Sequence, residues 1–178
     1  MHRAQHSPHD RDQSAAEVIV PSPIGTIFVR TDSHTLTHLC LGRIVHGKRQ
    51  QRVHEQHIAM PFVQACIRYF QGDLGAFGHV PMHLGGTAFQ RAVWEATKRI
   101  PPGTTLSYAA LARSIGKPKA CRAVAQALKR NPLALIIPCH RVVPSRYNST
   151  KSQHAGGYAW GRTKKAWLLQ HELQHTMH

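Results

Sequence analysis

NPLALIIPCHRVV, residues 131–143, is the stretch on which the reading of this chain turns. Leu133 to Ile137 is an uninterrupted apolar run, the pattern of a strand buried on both faces. Pro138 stops it, and Cys139, His140 and Arg141 follow at once. A cysteine and a histidine directly after a buried strand, fixed by proline, form a nucleophile arrangement. Only a thiolate attacks, so such a site must lower the thiol pKa. A neighbouring histidine accepts that proton, directly or through water, if a third group orients it. Glu172, on the last helix, is a carboxylate that can fold back against His140 for this purpose. Taken as a dipeptide alone, Cys139-His140 also fits a buried inert thiol beside a core histidine.

The residues before this stretch read as helices. Thr87 with Gln90 makes a capping box, and Phe89, Val93, Ala96 and Ile100 follow at helical spacing until Pro101-Pro102-Gly103. Ser107 caps the next helix, with Tyr108, Leu111 and Ile115 turned inward and Gly116 as its stop. After Lys117-Pro118 a further helix carries Cys121, Val124 and Leu128 along one face, and Asn131-Pro132 ends it. Two short helices joined by a glycine-containing turn in a basic region form a helix-turn-helix. Beyond the stretch, a polar loop runs to Gly156-Gly157. The final helix starts near Thr163 and places Ala166, Leu169 and Leu173 on one face.

The first half is different. Residues 1–16 read as a disordered tail. Val18 to Val20 and Ile27 to Val29 flank Pro21, Pro23 and Gly25 as two strands and a turn, and Leu36 to Cys40 is a third strand. Pro61 opens a helix that runs to Phe70, with Phe62, Ala65, Cys66, Tyr69 and Phe70 on its apolar face. Gly72, Gly75, Gly78 and Pro81 mark a linker that Gly85-Gly86 closes. The expected division is residues 17–84 as an N-terminal α+β domain and residues 85–178 as a mostly helical C-terminal domain.

Charge follows the same division. The 178 residues carry a formal net charge of +15. Residues 85–178 hold 15 basic side chains against only Glu95 and Glu172, whereas residues 1–84 are nearly balanced. The second half therefore faces a polyanion, with nucleic acid first and an anionic membrane second. The four cysteines form no CxxC pair, which argues against a zinc ribbon or finger. No stretch approaches 18 consecutive apolar residues, and the polar N-terminus is not a secretory signal. These points lead to an expectation of a cytoplasmic protein with free thiols: nucleoid-associated in a bacterium, nuclear in a eukaryote.

The Asn-Pro leader and the Pro-Cys-His-Arg core resemble the signature of the O6-alkylguanine-DNA alkyltransferases. SPIGTIFV at 22–29, GTAFQRAVWEATKRIPPGTTLSYAALA at 86–112, Arg122-Ala123-Val124, GYAWG at 157–161 and KKAWLLQHE at 164–172 agree in order. The resemblance implies an α/β protein: a ribonuclease-H-like N-terminal domain with a small antiparallel sheet, and a winged helix-turn-helix-like C-terminal domain. It implies stoichiometric transfer of a methyl group from O6-methylguanine in double-stranded DNA to Cys139, with O4-methylthymine left open as a weaker substrate. No cofactor is expected, and a monomer is.

By the same resemblance, His140 is the base, Glu172 its orienting partner, and Tyr108 the group that hydrogen-bonds the leaving guanine. Arg122 fills the space of the flipped nucleotide from the minor groove. Lys119, Ala123 and Arg141 join Tyr108 and Arg122 at the DNA. Asn131 is the hinge between recognition helix and active-site turn, and Val142, Tyr158, Ala159 and Trp160 surround the substrate. The chain departs from the family in a longer 144–157 loop, in Ala159 where serine is frequent and in Trp160 where glycine is common. Asp32 and Thr37 stand where some members place ligands of a structural zinc, so no metal is expected.

Two other readings remain. A non-enzymatic alkyltransferase-like DNA-binding regulator would share the helix-turn-helix and charge but lack the nucleophile. His171-Glu172-Leu173-Gln174-His175 is a literal HExxH, the spacing of a zinc metallopeptidase.

Overall fold

Short runs of β-favouring residues, Val18 to Val20, Ile27 to Val29 and Leu36 to Leu41, build one antiparallel sheet from three strands, β1 (Ala15–Val20), β2 (Ile27–Asp32) and β3 (Thr35–Leu41), in that spatial order. The structure is a computed structural model that describes residues 15–32, 35–42, 56–147 and 155–176. The turn after Val20 sets the register Val20 opposite Ile27, and an irregularity between Arg30 and Thr31 shifts it toward β3. Ile27, Val29, Leu36, Leu39 and Leu41 are buried on the inner face. Helix α1 (Gln56–Phe70) covers that face with Phe62, Ala65, Cys66 and Tyr69, all buried.

Two boundaries differ from expectation. β1 begins at Ala15, inside the segment expected as tail, because pairing with Asp32 and Thr31 extends the ladder past the apolar residues. The rest of that tail lies outside the described residues. α1 begins at Gln56, so Pro61 stands inside the helix rather than in its first turn.

The second half is helical. α2 (Ala88–Lys98) starts at the expected capping box: Thr87 Oγ1 accepts from Gln90 N–H, and the Gln90 side chain accepts from Thr87 N–H. β4 (Leu106–Ser107) runs into α3 (Tyr108–Ser114), capped by Ser107. Gly116, at φ +69°, allows the turn into α4 (Cys121–Lys129). α4 buries Val124, Ala127 and Leu128, and Trp94 Nε1 of α2 donates to Ala127 O at 2.9 Å. Cys121, expected on the inner face, is exposed. A 3₁₀ turn (Cys139–Arg141), a short strand β5 (Val142–Val143) and α5 (Arg162–Thr176) complete the described residues.

Residues 133–137 are not a strand. Leu133 forms one isolated bridge to Leu39, and the chain then turns, with Leu135 at φ +70°. Leu39 N–H donates to Pro132 O and Ala134 N–H to Leu39 O, both at 2.8 Å. The apolar run is met by burial alone: Leu133, Ala134, Leu135, Ile136 and Ile137 are all buried. The edge strand of the first half is thereby stitched to the segment leading to Cys139. β4 pairs with β5 in parallel, Leu106 opposite Val142 and Ser107 opposite Val143. That ladder places the start of α3 beside the 3₁₀ turn. The architecture is α/β, with a small antiparallel sheet and five helices among the described residues.

Candidate active site

Asn131 closes the turn that carries Cys139. Its Oδ1 accepts from Leu133 N–H at 2.9 Å, and its Nδ2 donates to Ile137 O at 2.8 Å and lies 3.1 Å from Cys139 Sγ. Leu135 holds a left-handed backbone that a branched side chain rarely adopts, so the turn stores strain that these bonds must hold. Cys139 is the first residue of the 3₁₀ turn and is nearly buried. Its thiol lies at a cavity of about 400 Å³ that is also lined by Tyr108, Tyr158, Ala159, Gln126 and Lys129. The recognition-helix candidate α4 thus forms one wall, and the loop before α5 forms another.

Behind the cysteine lies a buried polar cluster. His140 Nε2 donates to Glu172 Oε1 at 2.8 Å, and both side chains are fully buried. With the Nε2 proton held by the carboxylate, Nδ1 carries the lone pair of the neutral ring. Nδ1 is buried and has no protein partner among the described residues. Arg141 forms a two-pronged pair with Glu172, Nε to Oε2 at 2.9 Å and Nη2 to Oε1 at 2.8 Å, and Nη1 donates to Ile100 O. Tyr69 Oη donates to Glu172 Oε1 at 2.8 Å, and Gly103 N–H reaches Oε2 at 3.4 Å.

Electrostatics follow from this packing. Burial pushes the Cys139 thiol up to about 11, against the Asn131 hydrogen bond and the nearby Lys165 charge. This is the reverse of the lowered pKa expected from the sequence, because burial outweighs the groups that favour the thiolate, and the thiol keeps its proton at neutral pH. Burial likewise lowers the His140 pKa, which Glu172 opposes. For Glu172, burial favours the neutral acid, but His140 and the Arg141 guanidinium outweigh it and hold the carboxyl well below its usual range. Burial brings Lys165 down to about 8. Tyr108 is raised by burial and then by Cys139, so its hydroxyl keeps its proton.

The expected residues are distributed as follows. Cys139, His140, Glu172 and Asn131 come together, and Tyr108 stands across the cavity as the first residue of α3. Val142 is buried and offers its carbonyl to Lys165 rather than its side chain to the cavity. Trp160 packs edge-on against Tyr158, ring centroids 5.1 Å apart, and is not part of the cavity wall. Lys119, Arg122 and Ala123 are exposed before and along the first turn of α4. Arg141, expected among the DNA contacts, is instead buried at 5% exposure, and its guanidinium is used by Glu172 and Ile100 O. Part of the long loop, residues 148–154, lies outside the described residues.

The face of α5 is also corrected. Lys165, Leu168, His171 and Glu172 are the buried residues, while Ala166, Leu169 and Leu173 are only partly covered. Polar demand from the cluster, not apolar periodicity, rolls this helix. Lys165 was missed for that reason. Its Nζ donates to Val142 O at 2.6 Å and to Gly157 O at 3.3 Å, and lies 5.9 Å from the Tyr108 ring centroid. Lys165 and Glu172 are seven residues apart, so placing Glu172 inward places Lys165 inward too. The HExxH spacing is used differently from a zinc set. Glu172 faces His140, His171 Nε2 donates to Tyr69 O, and His175 Nδ1 donates to His171 O.

Comparison with known proteins leads to one family. Residues 88–174 match the family described as 6-O-methylguanine DNA methyltransferase, DNA binding domain. The methylated-DNA–protein-cysteine methyltransferase of Haemophilus influenzae is 35% identical over 156 residues, 85% of this chain and 83% of that one. The enzyme of the same name from Methanosarcina acetivorans is 38% identical over 159 residues, 86% of this chain and 96% of its own. The crystal structure of Mycobacterium tuberculosis OGT in complex with DNA aligns at a TM-score of 0.71 with 35% identity, covering 88% of this chain and 92% of that one.

Proposed function

Since the chain belongs to the methylated-DNA–protein-cysteine methyltransferases, enzymes of direct-reversal DNA repair that transfer an alkyl group from DNA to a cysteine of their own, we propose that its acceptor is Cys139. The observation that carries this reading is one thiol on a cavity wall, held by Asn131, with a buried His140–Glu172 pair directly behind it.

The thiol is neutral at rest, so attack needs a base. His140 Nδ1 takes the proton through a water, and Glu172 stabilises the imidazolium that forms. The sulfur lone pair attacks the O6-methyl carbon in line, the carbon–O6 bond breaks, and a thioether remains. Tyr108 donates a hydrogen bond to the departing guanine. Lys165 places a cation near the developing thiolate. The thioether does not revert under mild conditions, so each molecule acts once.

A base substituent in the stack is out of reach of this wall, so the nucleotide leaves the duplex at a cost of a few kcal/mol. Arg122, exposed on the first turn of α4, fills the gap, and Lys119 contacts the phosphates. O6-methylguanine in duplex DNA is the substrate, with O4-methylthymine a weaker one. The test is incubation with a labelled O6-methylguanine duplex followed by peptide mapping. One methyl on the peptide carrying Cys139 is expected, with none after Cys139→Ser. Label on another residue, or repeated turnover, overturns the assignment.

A further inference from the structure

Glu172 accepts more donors than a histidine-orienting carboxylate needs, and one comes from the far half of the chain. Tyr69 stands on the last turn of α1 and donates its hydroxyl to Oε1 at 2.8 Å. That same oxygen receives His140 Nε2 and Arg141 Nη2, each also at 2.8 Å.

Tyr69 is held so that its hydroxyl cannot turn elsewhere. Its carbonyl accepts from Nε2 of His171, the neighbour of Glu172, at 2.9 Å. Its ring is boxed by Phe70, edge-on at 5.3 Å, by Phe77 at 5.6 Å and by His171 at 5.4 Å. The residue is 1% exposed. Both ends of one residue on α1 therefore grip two successive residues of α5.

We propose that Tyr69 is a positioning residue for alkyl transfer: it pins Glu172 Oε1 against His140 Nε2 and shares that oxygen's charge, so that His140 rests as the neutral base behind Cys139. This rests on the reading of His140 and Glu172 as the base and its partner. A carboxylate oxygen that accepts an extra hydrogen bond attracts a neighbouring imidazolium less strongly. Without the hydroxyl, Glu172 holds a protonated His140 more tightly, and a protonated His140 cannot take the thiol proton.

Other groups also face the pair. They are Cys139 and Arg141 on the 3₁₀ turn, Lys165 and His171 on α5, Tyr158 on the preceding loop and the Gly103 N–H. Of the described groups bonded to Glu172, only Tyr69 comes from the first half of the chain.

The experiment measures single-turnover methyl transfer to the full chain from an O6-methylguanine duplex, at saturating protein, from about pH 5 to about pH 9. Tyr69→Phe is expected to move the acid limb of the rate profile upward by about half a pH unit, with DNA affinity unchanged. A ring-fluorinated tyrosine at the same position keeps the shape, donates more strongly, and is expected to move the limb downward. A uniform fall in rate at every pH, or no displacement in either protein, overturns the proposal. If Tyr69→Phe fails to fold, the fluorinated protein decides alone. Glu172→Gln is measured alongside. An unchanged profile there defeats the base reading itself, whereas a changed one with both Tyr69 proteins like the parent defeats only the role of Tyr69.

Discussion

Asn131 illustrates how much one side chain can decide at the residue scale. It closes the strained turn, bonds the Ile137 carbonyl and touches the Cys139 sulfur. Asn131→Ala leaves the buried Leu133 N–H without its partner, leaves the Ile137 carbonyl with the Cys139 N–H alone, and frees a turn that holds Leu135 at φ +70°. The expected cost is about 1–3 kcal/mol in denaturant unfolding, with slower methyl transfer. A variant of parental stability would show that the turn holds without it. Cys139 and Lys165 form the other residue-scale pair, and their linkage to pH has opposite signs. The thiol is raised to about 11 from 9.0, so the folded state keeps its proton longer and stability falls as pH rises through that window. Lys165 is lowered to about 8 from 10.5, so the unfolded state binds more protons and stability rises across its window. The two offset each other. Lys165→Met leaves only the thiol, so stability of that variant should drop more steeply than the parent's above about pH 9. Parallel stability–pH curves for the two proteins would contradict the pairing.

At the scale of elements, α3 and α5 carry the chemistry in different ways. α3 has only seven residues and starts at Tyr108, so its position depends on its ends. Ser107 Oγ accepts from Ala110 N–H at 3.1 Å, and Ser107 also pairs with Val143 through the two-residue ladder. Ser107→Ala should cost about 1 kcal/mol in thermal unfolding and slow transfer by loosening Tyr108 across the cavity. Loss of stability with an unchanged rate would mean that the ladder alone places Tyr108. The capping residues of α2 and α3 were readable because capping is local: donor and acceptor sit three residues apart. The buried face of α5 was not readable from apolar spacing. Its inward side carries Lys165, His171 and Glu172, and what they pair with comes from the active-site turn and from α1. The Leu133–Ile137 run misled for a related reason. Apolar composition reports burial, and a strand is only one way to bury five residues.

For the whole molecule, the basic excess lies on the half that presents α4, with Lys119, Arg122, Lys129 and Arg130 all exposed. DNA affinity should therefore fall steeply with salt. Lys119→Ala is expected to reduce the slope of log affinity against log salt by about 1, as for one phosphate contact. Arg122→Ala should instead slow transfer from a duplex far more than transfer from a single strand, since only the duplex has a gap to fill. Equal slowing on both substrates would remove Arg122 from the flipping role. The first half contributes to the same site from a distance. β3 stitches the active-site turn through Leu39, and α1 reaches Glu172 through Tyr69.

By itself the sequence determined the segment that carries Cys139, the capped starts of α2 and α3, the three strands, the basic half and, through the Pro-Cys-His-Arg resemblance, the family. These are properties of short windows, where residue type and spacing act on neighbouring backbone. Only the tertiary structure decided which charges lie together. Arg141 reads locally as a basic residue for DNA, yet the carboxylate that claims it is 31 residues away. Tyr69 reads as a core tyrosine, and its hydroxyl partner is 103 residues away. A buried carboxylate gathers whichever donors the packed helices and turns bring within about 3 Å, and no local periodicity encodes that meeting.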